Sequence, residues 1–346
     1  MALVTWILDL LRASTRRGAA FAFAAMLAAA GCAAARHQSP ADPLPSWNDG
    51  AAKRAIVEFV RATTTEGSPD FVPPAERVAT FDNDGTLWSE KPAYVQLSFM
   101  MDEAKSMAAR HPEWKSDPVF HAIEEHDEGA LAHLGDKALM DFLVKANSGM
   151  TVDEYDRTIT AWLATARHPR YGRPYTTLVY QPMLELLAWM RASGFRTWIV
   201  SGGSIEFMRP WVEKAYGIPR EQVVGTIPET TWENGSRGAT LVRGPRFAFV
   251  DDGAGKPIGI WRSIGRRPVA AFGNSDGDLP MLQYTAAGSG RRLMLLVHHD
   301  DAARESAYDR RSPVGRLDKA LDEATARHWV VVSMKDDWKT VFPGAK

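Results

Sequence analysis

Val78-Ala79-Thr80-Phe81-Asp82-Asn83-Asp84-Gly85-Thr86-Leu87-Trp88 reads as a short apolar strand running into two aspartates one residue apart, followed by Gly-Thr. The strand ends at Asp82, so this carboxylate is expected to project from the C-terminal edge of a sheet, where open α/β sheets place ligands. Asp84 can face the same cavity once the chain turns at Gly85, a residue that tolerates positive φ. At such an edge one carboxylate can attack phosphorus while the other handles the leaving-group proton, and the pair can hold a hard divalent cation. An Asp/Gly turn after an edge strand is common, so the reading depends on what else the chain brings to this edge.

Three further segments follow in order. Phe195-Arg196-Thr197-Trp198-Ile199-Val200-Ser201-Gly202-Gly203 is a second buried-strand pattern ending in a hydroxyl and two glycines. Ser201, with the backbone N–H groups of Gly202 and its neighbours ahead of a helix from Ser204, forms a candidate anion pocket. Lys256, in Gly255-Lys256-Pro257, offers a point charge for phosphate. A third strand, Pro268–Phe272, runs into Gly273-Asn274-Ser275-Asp276-Gly277-Asp278-Leu279-Pro280-Met281-Leu282, an oxygen-rich loop able to complete a Mg²⁺ site.

With all four in place, the chain resembles the haloacid dehalogenase superfamily on its phosphatase side, with a phosphoserine-phosphatase-like layout. The signature DxD(G/S)T, strand-terminal Ser/Thr, Lys and acidic loop appears here as FDNDGTLW, IVSGG, GKP and GNSDGDLPML, spanning residues 76 to 285. The resemblance implies an α/β, Rossmann-like core with a parallel sheet, helices on both faces and an inserted, mostly helical cap. It implies that Asp82 is the nucleophile that forms an aspartyl-phosphate. Asp84 would be the general acid, later activating water and lending its carbonyl to Mg²⁺. Ser201, Gly202 and Lys256 would bind the phosphoryl group, and the metal would be held by Asp82, Asp84, Asn274 and Asp278, with Asp276 as an alternative. An acid at position 84 also argues against dehalogenation, because a departing halide needs no proton.

One departure concerns the metal. Asn274 stands where the family loop normally has a ligating carboxylate, which keeps a carbonyl oxygen but removes one negative charge. Just past the catalytic turn, Trp88, Glu90 and Tyr94 are candidates for facing the leaving group, and Glu90 would favour one carrying an amine or hydroxyl. The expected activity is Mg²⁺-dependent hydrolysis of a small phosphorylated metabolite. A phosphotransferase or phosphomutase of the same superfamily and a non-catalytic lipoprotein that binds a phosphorylated ligand are the alternatives.

Ser201 lies 119 positions after Asp82, far more than one crossover requires. Helical patterns at Val95–Arg110, Val119–Asp127, Asp136–Ala146 and Thr151–Ala166 fill this interval, and Thr151-Val152-Asp153-Glu154 reads as a capping box. The expected partition is core at 51–93 and 174–346, with the cap at 94–173. A helix is expected over Ile205–Tyr216, and a hairpin around Thr230–Asp252 with its turn at Glu233-Asn234-Gly235. His298-His299-Asp300-Asp301, after a strand ending at His298, and the hinge charges Arg167, His168, Arg170 and Arg173 read as solvated.

Forty-one Lys and Arg against 42 Asp and Glu leave a net charge of −1, which points away from a nucleic-acid partner. Arg12, Arg16 and Arg17 precede an Ala-rich apolar run, Gly18–Gly31, that is short for a membrane span and ends at Cys32, the single cysteine. Residues 1–32 therefore read as a bacterial signal peptide of the lipoprotein type, with Cys32 the lipidated residue. Residues 33–50 read as a Pro-rich tether, and the protein as exported, periplasmic or membrane-anchored. The oligomeric state is not legible in the chain.

Overall fold

The computed structural model describes residues 42–344 except 126, 128–129, 131–132, 135 and 237, and these form one compact unit. Its centre is an eight-stranded sheet in the order β4-β3-β2-β1-β5-β6-β7, with β8 beside β6. The strands are β1 (Val78–Phe81), β2 (Arg196–Ser204), β3 (Val223–Gly235), β4 (Gly238–Phe249), β5 (Ala270–Gly273), β6 (Leu293–Asp300), β7 (Ala307–Tyr308) and β8 (Val330–Ser333). All pairings are parallel except β3/β4 and β6/β7. Helices cover both faces, giving the Rossmann-like α/β core.

β1 is buried along its whole length, which explains why it reads as a continuous apolar run. It lies between β2 and β5, with Phe81 opposite both Ile199 and Phe272. The Phe81 and Phe272 rings stack at 4.2 Å and lock that register. By register Asp82 stands level with Val200 and Gly273, and Ser201 and Asn274 follow one residue beyond, so the three meet at the C-terminal edge although β2 runs on to Ser204.

Helices Val95–Met107, Pro118–Glu124, Asp136–Ala146 and Val152–Thr165 lie between β1 and β2. The capping box at Thr151 is present: Glu154 N–H donates to Thr151 Oγ1 at 3.1 Å, and Thr151 N–H donates to Glu154 Oε2 at 2.8 Å. The expected helix over 205–216 is instead two short ones, Ile205–Met208 and Val212–Tyr216. Pro210 separates them, since it has no N–H to continue the ladder. In the hairpin, pairing continues past the expected turn to Gly235 opposite Gly238.

Three other expectations change. Residues 42–50 are not a free tether: Leu44 and Trp47 are fully buried, and Trp47 packs edge-on against Trp338 at 5.9 Å. Two large apolar side chains outweigh the Pro-rich composition around them. β6 continues through Asp300, and both His299 and Asp301 are buried, so that segment is not a solvated loop. His168 is buried too, its Nε2 meeting the Lys91 carbonyl at 2.5 Å. Cys32 and residues 1–32, read above as a signal peptide, lie outside the described residues, among which no helix is long and apolar enough to cross a membrane.

Candidate active site

Lys256, in the first turn of the helix Gly255–Ser263, reaches the edge of β1 and is only 2% exposed. Its Nζ donates to Asp82 Oδ1 at 2.7 Å, Asp278 Oδ1 at 2.6 Å and the Val200 carbonyl at 3.0 Å. All three ammonium protons are thus used. Burial works against the charged amine, but Asp278 and Asp82 hold it protonated well above its ordinary range. Burial, reinforced by Asp278, pushes Asp82 well above the usual carboxylate range.

Asp84 is held from behind. Trp88, fully buried and stacked on Trp211 at 4.3 Å, donates its indole N–H to Asp84 Oδ1 at 2.8 Å. Burial raises the Asp84 pKa to about 6, with the Trp88 bond opposing the rise. Gly85 between them has φ +73°, and a Cβ there would lie 2.1 Å from Asn274 Nδ2, so the turn requires glycine. Ser201 is buried, its Oγ accepting from the Gly203 N–H at 3.1 Å. Ser204 caps the next helix, and its N–H donates to Gln96 Oε1 at 2.8 Å.

The loop after β5 divides its labour. Asp278 is committed to Lys256 through one oxygen and to the N–H groups of Asn274 and Ser275 through the other, each at 2.9 Å. Asp276 points elsewhere: its Oδ1 accepts the N–H groups of Asp318 and Ala320, both at 2.9 Å, at the start of the helix Lys319–Ala326. Asn274 faces the site. Its Oδ1 accepts from Thr86 Oγ1 at 3.0 Å, and that hydroxyl also lies 3.4 Å from Asp82 Oδ2. Its Nδ2 donates to Glu90 Oε1 at 2.8 Å.

Glu90 is 1% exposed and also accepts from Tyr308 Oη at 2.7 Å. Burial, countered in part by His299, raises it to about 7. Behind it, His299 Nε2 meets the Gly85 carbonyl at 2.7 Å and its Nδ1 meets Glu305 Oε2 at 3.3 Å, while Ser89 donates to Glu305 Oε1 at 2.6 Å. Sequence reasoning missed His299, Glu305 and Tyr308. The available signal was the period-2 burial of β6, which puts His299 inward along with Val297.

These groups open into a cavity of about 360 Å³. Asp82, Asp84, Lys256, Glu90 and Tyr94 line it. The remaining wall comes from two sources. Gln96, Leu97, Met100 and Met140 belong to the segment between β1 and β2, whereas Phe247, Val250 and Asp252 belong to the β4 arm and the loop after it. Arg243 joins the two sources. It is 4% exposed, donates to Glu206 Oε2 at 2.8 Å and to the Asn147 carbonyl, and lies 3.6 Å from the Tyr155 ring centroid.

The donor set suits Mg²⁺. Asp82 Oδ2 and Asn274 Oδ1 converge on one hydroxyl, the Asp84 backbone carbonyl two residues on is the further oxygen the resemblance implies, and buried carboxylates outnumber the single ammonium. Among the described residues no three Asp, Glu, His or Cys side chains gather on one point, so backbone oxygen and water would complete the shell.

A model of the haloacid dehalogenase-like hydrolases matches residues 79–283, more than half of the chain, and the chain belongs to that family of enzymes. Among solved structures it is similar to a conserved, functionally unknown protein from Anaerococcus prevotii, at 15% identity over 81% of this chain and 91% of that one, with a TM-score of 0.53. A protein of unknown function from Bordetella pertussis aligns over 75% of this chain and 99% of its own at 15% identity and a TM-score of 0.46. A probable phosphoserine phosphatase from Vibrio cholerae aligns over 75% and 69% at 14% identity and a TM-score of 0.36. No curated protein matches the chain. At these identities the likeness concerns the fold.

Proposed function

We propose that the protein is a Mg²⁺-dependent phosphomonoester hydrolase working through an aspartyl-phosphate on Asp82. The observation that carries this reading is Lys256 Nζ between Asp82 and Asp278, at the sheet edge where Asp84 and Ser201 also emerge. Asp82, the Asp84 carbonyl and Asn274 Oδ1 would hold the metal, which when bound offsets charge on the phosphoryl oxygens. Asp82 attacks phosphorus in line with the ester oxygen as the P–O bond to the leaving group breaks. Asp84, protonated near pH 6, gives its proton to that oxygen. Water then attacks the acyl-phosphate, Asp84 takes its proton, and phosphate leaves with Asp82 restored. Ser201 Oγ, already accepting from Gly203, has its own proton free for a phosphoryl oxygen. The segment 94–173 serves as the cap, with the β3–β4 arm as its second half.

Hydrolysis of p-nitrophenyl phosphate with and without Mg²⁺ tests the reading. Metal-dependent turnover is expected, and Asp82→Asn should abolish it with the fold intact. Transfer to an added alcohol instead of water would reassign the protein as a phosphotransferase, and binding of phosphate esters without turnover would make it a binding protein. The same reading includes export and lipidation at Cys32, tested by fatty-acid labelling that Cys32→Ala removes.

A further inference from the structure

The walls above the phosphoryl site carry an unusual balance of charge. Asp84, Glu90 and Asp252 line the cavity together with Asp82, and Lys256 is the one cationic side chain among its described lining residues. Lys256 has no proton left for another anion, because all three are bonded. The neighbouring Lys and Arg side chains are engaged elsewhere. Lys91, next to Glu90 in the chain, donates to Ser312 Oγ at 2.5 Å and the Val314 carbonyl at 2.8 Å. Arg243 is paired with Glu206. Leu97, Met100, Met140 and Phe247 supply the apolar part of the lining. Asp82 and Asp84 are taken up by the metal and acid roles proposed above, so a carboxylate or second phosphate on the leaving group would face Glu90 and Asp252 with no cationic side chain free to pair it, at a cost that rises steeply in a partly desolvated cavity.

We propose that the substrate's leaving group is an alcohol free of anionic groups, with an amine or other positive end toward Glu90 and Asp252 and an apolar body against Leu97, Met100 and Met140. This inference rests on the phosphatase reading of the same site. It separates two esters of nearly equal size, O-phosphoethanolamine and O-phosphoserine, which differ by one carboxylate.

The test measures kcat/KM for both, with p-nitrophenyl phosphate as a control. A preference for phosphoethanolamine of at least about tenfold is expected, narrowing in Asp252→Asn and Glu90→Gln. Equal rates, faster phosphoserine hydrolysis, or a preference that neither variant changes would overturn the inference while leaving the hydrolase reading intact. If no ester turns over, p-nitrophenyl phosphate included, the hydrolase reading has failed. Calorimetric binding of the two compounds to the wild-type protein then decides: tighter phosphoethanolamine supports the inference, while equal affinity, tighter phosphoserine or no binding of either overturns it.

Discussion

Asn274 shows how one atom changes a site's requirements. Its amide N–H bonds Glu90 at 2.8 Å, so a carboxylate in that place would set two negative groups against each other. Asn274→Asp is therefore expected to lower the melting temperature of the metal-free protein but to increase the gain in melting temperature on adding Mg²⁺. A smaller gain than wild type, read by calorimetry over a Mg²⁺ series, would remove Asn274 from the metal shell. A second residue governs pH dependence. Asp251 is fully buried, neither carboxyl oxygen has a hydrogen-bond partner, and burial raises it from 3.8 to about 8. Between those values the native state keeps a proton that the unfolded chain has released, so stability falls as pH rises. Asp251→Asn, which cannot ionise, should gain on wild type across that window by up to about 1.4 kcal/mol per pH unit, with no pH-dependent gain below pH 4. Denaturation at pH 4, 6 and 8 checks this.

The elements explain what could be read from the chain and what could not. β1, β2 and β5 were legible because each is an apolar run ending in chemistry-bearing residues, and their common edge follows from parallel pairing. Asp276 and Asp278 were not separable: both lie in one acidic loop, and only the three-dimensional positions of Lys256 and the helix Lys319–Ala326 assign one to the site and the other to capping. The β3–β4 arm was visible as a hairpin, but its role as a wall was not, because its contact with Asn147 and Tyr155 spans nearly 100 residues of sequence. Arg243 is the link. Arg243→Met leaves Glu206 buried without its partner and should destabilise the protein by about 3–5 kcal/mol. It should also raise KM more than it lowers kcat, because the roof loosens while the catalytic edge is untouched. An unchanged KM would show that the arm is a passive strut.

Across the whole molecule, the catalytic edge is buttressed from the far end of the chain. β6 and the segment after it bring His299, Glu305 and Tyr308 beneath the turn at Gly85 and against Glu90, and Arg170 donates to the carbonyls of Glu305 and Ala302 from the opposite side. Residues 42–50 close the same region through Trp47, whose indole N–H donates to the Pro182 carbonyl at 3.0 Å. Composition marked that stretch as tether because it weighs prolines and polar residues equally and gives no weight to a single buried indole. Trp47→Ala should cost about 3–5 kcal/mol by chemical denaturation, whereas a tether would lose nothing.

The central claim is that phosphorus passes through Asp82. Acid-quenching the enzyme during turnover of a radiolabelled phosphomonoester, then mapping protein-bound label by peptide mass spectrometry, tests it directly. The account predicts acid-stable, hydroxylamine-labile phosphate on Asp82, absent from Asp82→Asn and still formed when breakdown is slowed in Asp84→Asn with p-nitrophenyl phosphate, whose leaving group needs no proton. Phosphate released at full rate with no label at Asp82, or label on another residue, would contradict it.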